Sequence, residues 1–382
     1  RDEARKWLES NVPSEPLKSF DSKEGFEEHR AWELKLKAGG WAMVPWPVEY
    51  GGRGADLLEW LIFEEEYYRA KAPLRVNQNG IFLLGPTLME YGTPEQKERF
   101  ISAMASGEEM WAQGWSEPGA GSDLASLKTK AELSEDGSHY VVNGTKIWTT
   151  MAHIADWIFC LTRTSDAGIK QEGITFLLFP MKQDGVEIKP IITLGGSHTV
   201  NTVFFTDVKV PVENRVGEEG KGWTYAKALL AHERTSIAAV PDSKRGLALL
   251  REQAKQEVGG GRPLIEDPLF QARLAEIEIE LMALEFTDLR ALASASAGHG
   301  PGAESSLLKL KGTEIQQSLQ ELSMDLAAHY CGLEETDANV GIAGHDFSNK
   351  SRLSYMYGRA ATIYGGSNEV QKNITAKYIL GL

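Results

Sequence analysis

The spacing of hydrophobic positions changes twice along the chain. Up to about residue 110 apolar side chains recur every three or four positions, from 111 to about 215 they alternate, and from Gly222 onward the helical spacing returns. The pattern predicts three domains: an N-terminal α-helical domain over 1–110, a middle β-barrel domain over 111–215 and a C-terminal four-helix bundle over 216–382. In the first third a helix runs from Phe26 to Ala38 and ends at Gly39-Gly40. A loop of turn formers, Trp46 to Gly54, leads to a second helix from Leu57 to Arg69, whose Glu64, Glu65 and Glu66 read as a solvated face. Thr93 is placed to cap a third helix, with Pro94 in its first turn and Gln96 completing a capping box, and this helix runs to Gly107.

The alternating region contains Tyr140-Val-Val-Asn-Gly-Thr-Lys-Ile-Trp148, which reads as a hairpin turning at Asn143-Gly144. Strands follow at Trp157–Thr162, Ile174–Phe179, Val186–Ile192 and Val203–Val210, a succession expected of a small barrel or sandwich. Beyond Gly222 three long helices are expected at 222–257, 267–296 and 304–332, with a shorter one after Gly365-Gly366-Ser367. Leu333 to Asp346 has the composition of a mobile loop.

A formal charge of -14 without a block of Lys and Arg argues against nucleic acid as a partner. Cys160 and Cys331 make neither a disulfide framework nor a metal cluster, so the chain reads as cytoplasmic. No apolar run reaches the length of a membrane span, and the first residues lack a secretory core. The dinucleotide, phosphate-loop, zinc-protease and serine-hydrolase fingerprints are absent.

The junction between the helical third and the strands carries the candidate chemistry. Trp111-Ala-Gln-Gly-Trp-Ser-Glu-Pro-Gly-Ala-Gly-Ser-Asp-Leu-Ala125 begins extended, with Trp111, Gln113 and Trp115 at alternate positions whose aromatic planes suit a flat ligand. It then turns at Pro118, Gly119 and Gly121. Ser-Glu-Pro-Gly-Ala-Gly-Ser-Asp, followed by Asn143-Gly-Thr-Lys-Ile-Trp-Thr-Thr150, closely resembles the signature of the acyl-CoA dehydrogenase family. The resemblance extends over nearly the whole chain, and within the family it is most similar to the large subunit of bacterial pimeloyl-CoA dehydrogenases.

The resemblance implies an α+β fold of this family and FAD as cofactor. It implies contacts to the flavin from Gln113, Trp115, Ser116, Trp148 and Thr150, and places Ser122 near the acyl-CoA thiol linker. The family reaction removes an α-proton from an acyl thioester while a β-hydride passes to the flavin, leaving a trans-2-enoyl thioester. An α-C–H is so weak an acid that a desolvated carboxylate base and preorganised donors to the thioester oxygen are needed. The commonest family position for that base is Gly365 here, which has no side chain. A second branch carries the base on the first bundle helix before an arginine, and His232-Glu-Arg-Thr235 puts Glu233 there, with Arg234 tuning it or fixing substrate. Gly365 keeps a backbone role, its N–H holding the thioester carbonyl. Gly366, Ser367, Asn368 and Glu369 open the last helix, where the resemblance places the FAD pyrophosphate or adenosine.

Two departures bear on assembly. Gly259-Gly-Gly-Arg-Pro-Leu-Ile265 stands where the family shows Arg-x-x-Phe-Gly, leaving Arg262 as the substitute, and Val340-Gly-Ile-Ala-Gly-His345 replaces a Gly-Gly-x-Gly turn. A homologous smaller subunit completing an α2β2 heterotetramer, or a homo-oligomer, follows from the resemblance, as do an acyl-CoA substrate and an electron-transfer flavoprotein as acceptor. The competing readings are a non-catalytic subunit that completes a partner's flavin site and an acyl-CoA oxidase or flavin hydroxylase.

Overall fold

A computed structural model describes residues 1–20, 22–166, 168–233, 238–259, 261–297, 302, 304–332 and 346–382. In chain order the helices are α1 (Asp2–Asn11), α2 (Lys23–Ala38), α3 (Leu57–Arg69), α4 (Gly85–Tyr91), α5 (Pro94–Ala105), α6 (Gly222–Glu233), α7 (Val240–Gln256), α8 (Pro268–Ser296), α9 (Glu304–Ala327), α10 (Asp346–Gly358) and α11 (Asn368–Thr375). Between α5 and α6 lie β1 (Trp111–Gly114), β2 (Lys130–Leu133), β3 (His139–Thr150), β4 (Trp157–Arg163), β5 (Ile174–Pro180), β6 (Val186–Ile191) and β7 (Val200–Pro211). Two compact units result, one of residues 1–8, 57–71 and 234–382, the other of 9–56 and 72–233.

The second unit contains all seven of these strands in a single sheet, a half-barrel. β1 and β2 lie along one side of β4 and β5 along the other, while β2 continues through β3 and β7 to β6. Tyr140, Val142, Ile158, Leu177, Phe179, Val203 and Val208 point into its core. α5 begins with the expected capping box: Gln96 N donates to Thr93 Oγ1 at 3.2 Å and Thr93 N to Gln96 Oε1 at 3.1 Å. The Gln96 amide then donates to the carbonyls of Glu213 (2.7 Å) and Arg215 (2.9 Å), fastening α5 to the end of the sheet.

Asn143-Gly144 does not turn the chain. β3 is one continuous strand, and these residues lie opposite a bulge in β7: where the register shifts between Val142 and Gly144, Asn143 alone faces Thr206 and Asp207, with Asp207 at φ 51. The Asn143 side chain exchanges two hydrogen bonds with Asp207 across the ladder, and a Cβ on Gly144 would lie 2.5 Å from Thr129 Oγ1. The β2–β3 turn is instead Ser134–Ser138, around Gly137 at φ 70.

The helical unit is built on α7, α8 and α9, whose Leu247, Leu250, Leu274, Leu281, Leu308, Ile315 and Leu322 form one core. The single helix expected over 222–257 is two, α6 and α7. Pro241 in the first turn of α7 has no N–H to continue a helix through it, and Ala239 caps that turn in the left-handed region at φ 47. α10 was not signalled by the sequence pattern. Most of the Leu333–Asp346 loop, residues 333–345, lies outside the described residues.

The acidic face of α3 is not wholly solvated. Glu66 is 1% exposed, and its carboxylate accepts hydrogen bonds from Arg1, Arg5 and Arg69 at 2.7 to 3.0 Å. The Arg5 hydrogen bond leads the effects holding its carboxyl down at about 2; burial opposes it, and Arg1 and Arg69 reinforce it.

Candidate functional site

The Ser116–Asp123 segment leaves the sheet at the end of β1 and closes a tight turn, in which Glu117 and Ala120 exchange both backbone hydrogen bonds at 3.0 Å. A Cβ built on Gly119 or Gly121 meets nothing within 4 Å, so the outer side of this turn is open. Its inner side is anchored. Glu117 is buried, and its carboxylate accepts from Lys128 N (2.6 Å), Thr129 N (2.9 Å) and Lys146 Nζ (2.8 Å).

Lys146 projects inward from β3, fully buried, and also donates to the Trp115 carbonyl at 3.1 Å. Burial alone would raise the Glu117 carboxyl, but the Lys146 charge and the hydrogen bonds it receives hold it below the ordinary range. The buried pair therefore joins the end of β1, the turn, the start of β2 and the middle of β3. A lysine in the inward phase of an alternating strand, shared with Tyr140 and Val142, was the sequence signal for it.

One residue beyond this anchor, Ile147 N donates to the Ser116 carbonyl at 2.9 Å, so Ser116 and Trp148 come from adjacent stretches of chain. Between Lys146 and Thr149 the β3–β7 register shifts again, and Trp148 sits in this irregularity at φ 59. A bulky residue in the left-handed region is an outlier, and bulges beside functional sites serve to redirect a side chain. Here the redirected indole is 59% exposed.

The expected residues fare differently. Gln113 and Ser116 are half-buried and Thr150 and Ser122 exposed. Trp111 does not flank a ligand face: it stacks on Trp157 at 5.6 Å and packs against the edge of Phe100 in the core. Trp115 is also buried, with its indole Nε1 unbonded, and the Thr149 hydroxyl is buried without a partner. Asn201, which sequence reasoning missed, is fully buried on β7 and donates to the Thr149 carbonyl at 3.0 Å. It also accepts from His198 Nε2 at 2.7 Å, and the His198 ring stacks on His153 at 4.0 Å.

Glu233 ends α6; its side chain, and the whole of Arg234, lie outside the described residues. Gly365, Gly366, Ser367 and Glu369 belong to the helical unit. Gly365 and Gly366 have φ 64 and 82, and Ser367 caps α11 by accepting from Val370 N at 3.4 Å. Glu369 lies in the first turn, its carboxyl lowered chiefly by its own backbone N–H and by Ser367. Arg262 pairs with Asp267, the N-cap of α8, at 3.3 Å.

A flavin needs apolar contact on its ring faces and hydrogen-bonding groups along its polar rim. The outward-turned Trp148, the open turn at Gly119 and Gly121, and the unbonded Trp115 Nε1 and Thr149 Oγ1 meet that description, so the residues present fit FAD. Among the described residues no cluster of His, Cys, Asp and Glu could hold a metal ion, and no helix is long and apolar enough to cross a membrane. Cys160 and Cys331 are buried and free, and burial pushes the Cys160 thiol up to about 12.

Three family models match the chain in succession: the acyl-CoA dehydrogenase N-terminal domain over residues 1–108, the middle domain over 112–208 and the C-terminal domain over 220–380. Acyl-CoA dehydrogenase IpdE1 of Mycobacterium tuberculosis is 39% identical over 396 aligned positions, covering all of this chain and 97% of the relative. Among solved structures, the Tcur3481-Tcur3483 steroid acyl-CoA dehydrogenase superposes with a TM-score of 0.87 at 30% identity, over 100% of this chain and 96% of that one. The ChsE4-ChsE5 complex from Mycobacterium tuberculosis does so with a TM-score of 0.84 at 33% identity, over 100% and 97%. The chain belongs to the acyl-CoA dehydrogenase family of flavin-dependent oxidoreductases, whose cofactor is FAD.

Proposed function

We propose that the protein oxidises the Cα–Cβ bond of an acyl-CoA thioester to the trans-2-enoyl-CoA and passes the electrons to an electron-transfer flavoprotein. The observation that carries this reading is the Trp148 bulge beside the open Gly119–Gly121 turn, both fixed by the buried Lys146–Glu117 pair. When bound, FAD supplies the acceptor for the β-hydride. The Trp148 indole gives it an apolar face, and Gln113, Ser116 and Thr150 offer hydrogen-bonding groups at its rim.

Glu233 takes the α-proton, a task that requires its carboxylate to be ionised in the resting enzyme and shielded from water in the complex. The Gly365 N–H donates to the thioester carbonyl as negative charge develops there, and left-handed backbone at that residue aims the donor without a side chain in the way. Ser122 steadies the thiol linker, Arg234 fixes Glu233 or the substrate, and Gly366, Ser367 and Glu369 lie along the cofactor's phosphate end.

The domain boundaries follow this division of labour, at residues 110 and 215. A steroid-derived acyl chain is the substrate class favoured, because one structural neighbour is a steroid enzyme. The neighbours that are two-protein complexes likewise favour a homologous second subunit, and Arg262, engaged by Asp267, leaves a flavin contact for that subunit to provide. The test is anaerobic flavin bleaching of the purified complex against steroid, dicarboxyl and fatty acyl-CoAs. Glu233→Gln should abolish bleaching while retaining FAD. Unchanged bleaching in that variant overturns the assignment of the base, and oxygen consumption without an added acceptor favours an oxidase.

A further inference from the structure

Lys309 lies in the second turn of α9 with only 1% of its surface exposed. Its ammonium donates to Asn368 Oδ1 at 3.0 Å, and Thr313 Oγ1, one turn along α9, approaches the same oxygen at 3.4 Å. Asn368 is the first residue of α11 and is itself buried. Its backbone N–H donates to the Thr362 carbonyl at 2.9 Å.

The segment Ile363–Ser367 is thus closed at both ends by one residue. The Asn368 backbone ties it back to Thr362, and the Asn368 side chain ties it to α9. Between these ties lie Gly365 and Gly366, whose left-handed backbone leaves the turn many alternatives if the ties are cut. Gln371 Nε2, which donates to the Gly365 and Gly366 carbonyls at 3.3 and 3.4 Å, is itself on α11 and moves with it.

Stability alone does not call for a lysine here. Burying an ammonium is costly, an apolar side chain of similar volume would fill the space, and the positive end of a helix dipole repels a cation. Among its contacts, the charge makes a strong, directional bond to the Asn368 side chain.

Building on the role given above to the Gly365 N–H, we propose that Lys309 is the positioning residue for this turn. Through Asn368 it holds the Gly365 amide where the thioester carbonyl can accept from it. Lys309 touches neither substrate nor cofactor in this role. A donor displaced by about 1 Å loses on the order of a hundredfold in rate, so small slack in the turn matters.

The test uses the flavin-loaded protein as purified, with Lys309→Met and the double variant Lys309→Met/Asn368→Leu, which replaces both ends of the Lys309–Asn368 hydrogen bond. Two readouts are taken: hydrogen exchange of the 362–371 amides, and the absorption red shift of an aryl-substituted enoyl-CoA, which reports polarisation of its carbonyl. Both variants should retain FAD, exchange roughly tenfold or more faster in this segment alone, lose the red shift, and lower kcat with little change in KM.

If the double variant regains native exchange and red shift, Lys309 is merely structural and the proposal fails. If the native protein produces no red shift, the role of Gly365 has failed; the exchange data then still decide whether Lys309 clamps the turn. A native protein that shows the shift beside variants that keep it, with exchange unchanged, overturns the clamp alone.

Discussion

Replacing Lys146 by methionine removes the ammonium from a pair in which Lys146 is fully buried and Glu117 is 8% exposed. The carboxylate would keep its bonds from Lys128 N and Thr129 N but lose its countercharge. Breaking a buried pair from one side costs about 3–5 kcal/mol. Here a ceiling is available, because Glu117 can take a proton instead of remaining charged. Protonating a carboxyl of ordinary pKa 4.5 at pH 7 costs about 3.4 kcal/mol, at about 1.36 per unit. Loss of the bond to the Trp115 carbonyl adds about 1 kcal/mol.

The expected deficit is therefore about 4 kcal/mol at pH 7, and its pH dependence is diagnostic. In the native protein the Glu117 pKa is lowered, so its contribution is present above the ordinary value and lost as pH falls below it. In Lys146→Met it is raised, and the variant loses stability as pH rises from the ordinary value toward the new one. The gap between the two should shrink to about 2 kcal/mol at pH 5. Lys146→Met/Glu117→Gln should recover about 1–2 kcal/mol of the pH 7 loss, because no charge is stranded. Native-state hydrogen exchange at Lys128 and Thr129, whose amides bond Glu117, reads this locally without requiring the whole chain to unfold in one step. A deficit below about 1 kcal/mol at pH 7, or one that does not change with pH, would refute the reasoning.

Three other outcomes are expected. Glu66→Gln should destabilise the helical unit by about 1–3 kcal/mol at pH 7, less than a fully buried pair because its arginines return to water. The loss should fade as pH falls from 4.5 toward about 2, which denaturation at several pH values checks. Asp288, buried on α8 and pushed up to about 6 by burial and then by Glu285, destabilises the fold as pH rises from 3.8 toward that value. Asp288→Asn should therefore gain on the order of 1–2 kcal/mol at pH 7 and flatten stability over that range. Trp148→Ala should leave thermal stability within about 0.5 kcal/mol, as its ring is mostly exposed, yet weaken retention of FAD on dilution, followed by flavin fluorescence.

The elements that the sequence announces are those whose local chemistry is complete within a few residues. The capping box at Thr93 and Gln96 formed as expected, and the helix at Leu57–Arg69 matched to the residue. The four later strands all formed, β6 and β7 from alternation that buries one face and β4 and β5 from apolar runs buried on both. Asn143-Gly144 misleads for a physical reason: the pair suits a two-residue turn, yet it equally suits the strand opposite a bulge, which here lies on β7 with the left-handed backbone at Asp207. Only the partner strand distinguishes them, here through Asp207 sixty-four residues away. The break between α6 and α7 was legible at Pro241, but the helical spacing on either side outweighed it.

The site follows a different logic, because its residues were named by motif while what holds them was not. Trp148 and Ser116 are recognisable in a string of letters. Lys146, Glu117, Lys309 and Asn368 are not, since each matters through a partner 29 or 59 positions distant. All four share one trace: a charged or amide side chain in the inward phase of its element or turn, where desolvation is unfavourable unless a specific bond compensates. That trace says a partner exists without saying which. Reading phase and polarity together locates the supports of a site, and the contact geometry identifies what each support holds. In this chain both buried lysines reach segments already marked by motif, the β1–turn junction and the start of α11. Positioning by buried ammonium groups is therefore the device proposed for two segments of this chain, the proposed flavin contacts on the sheet and the proposed carbonyl donor at Gly365.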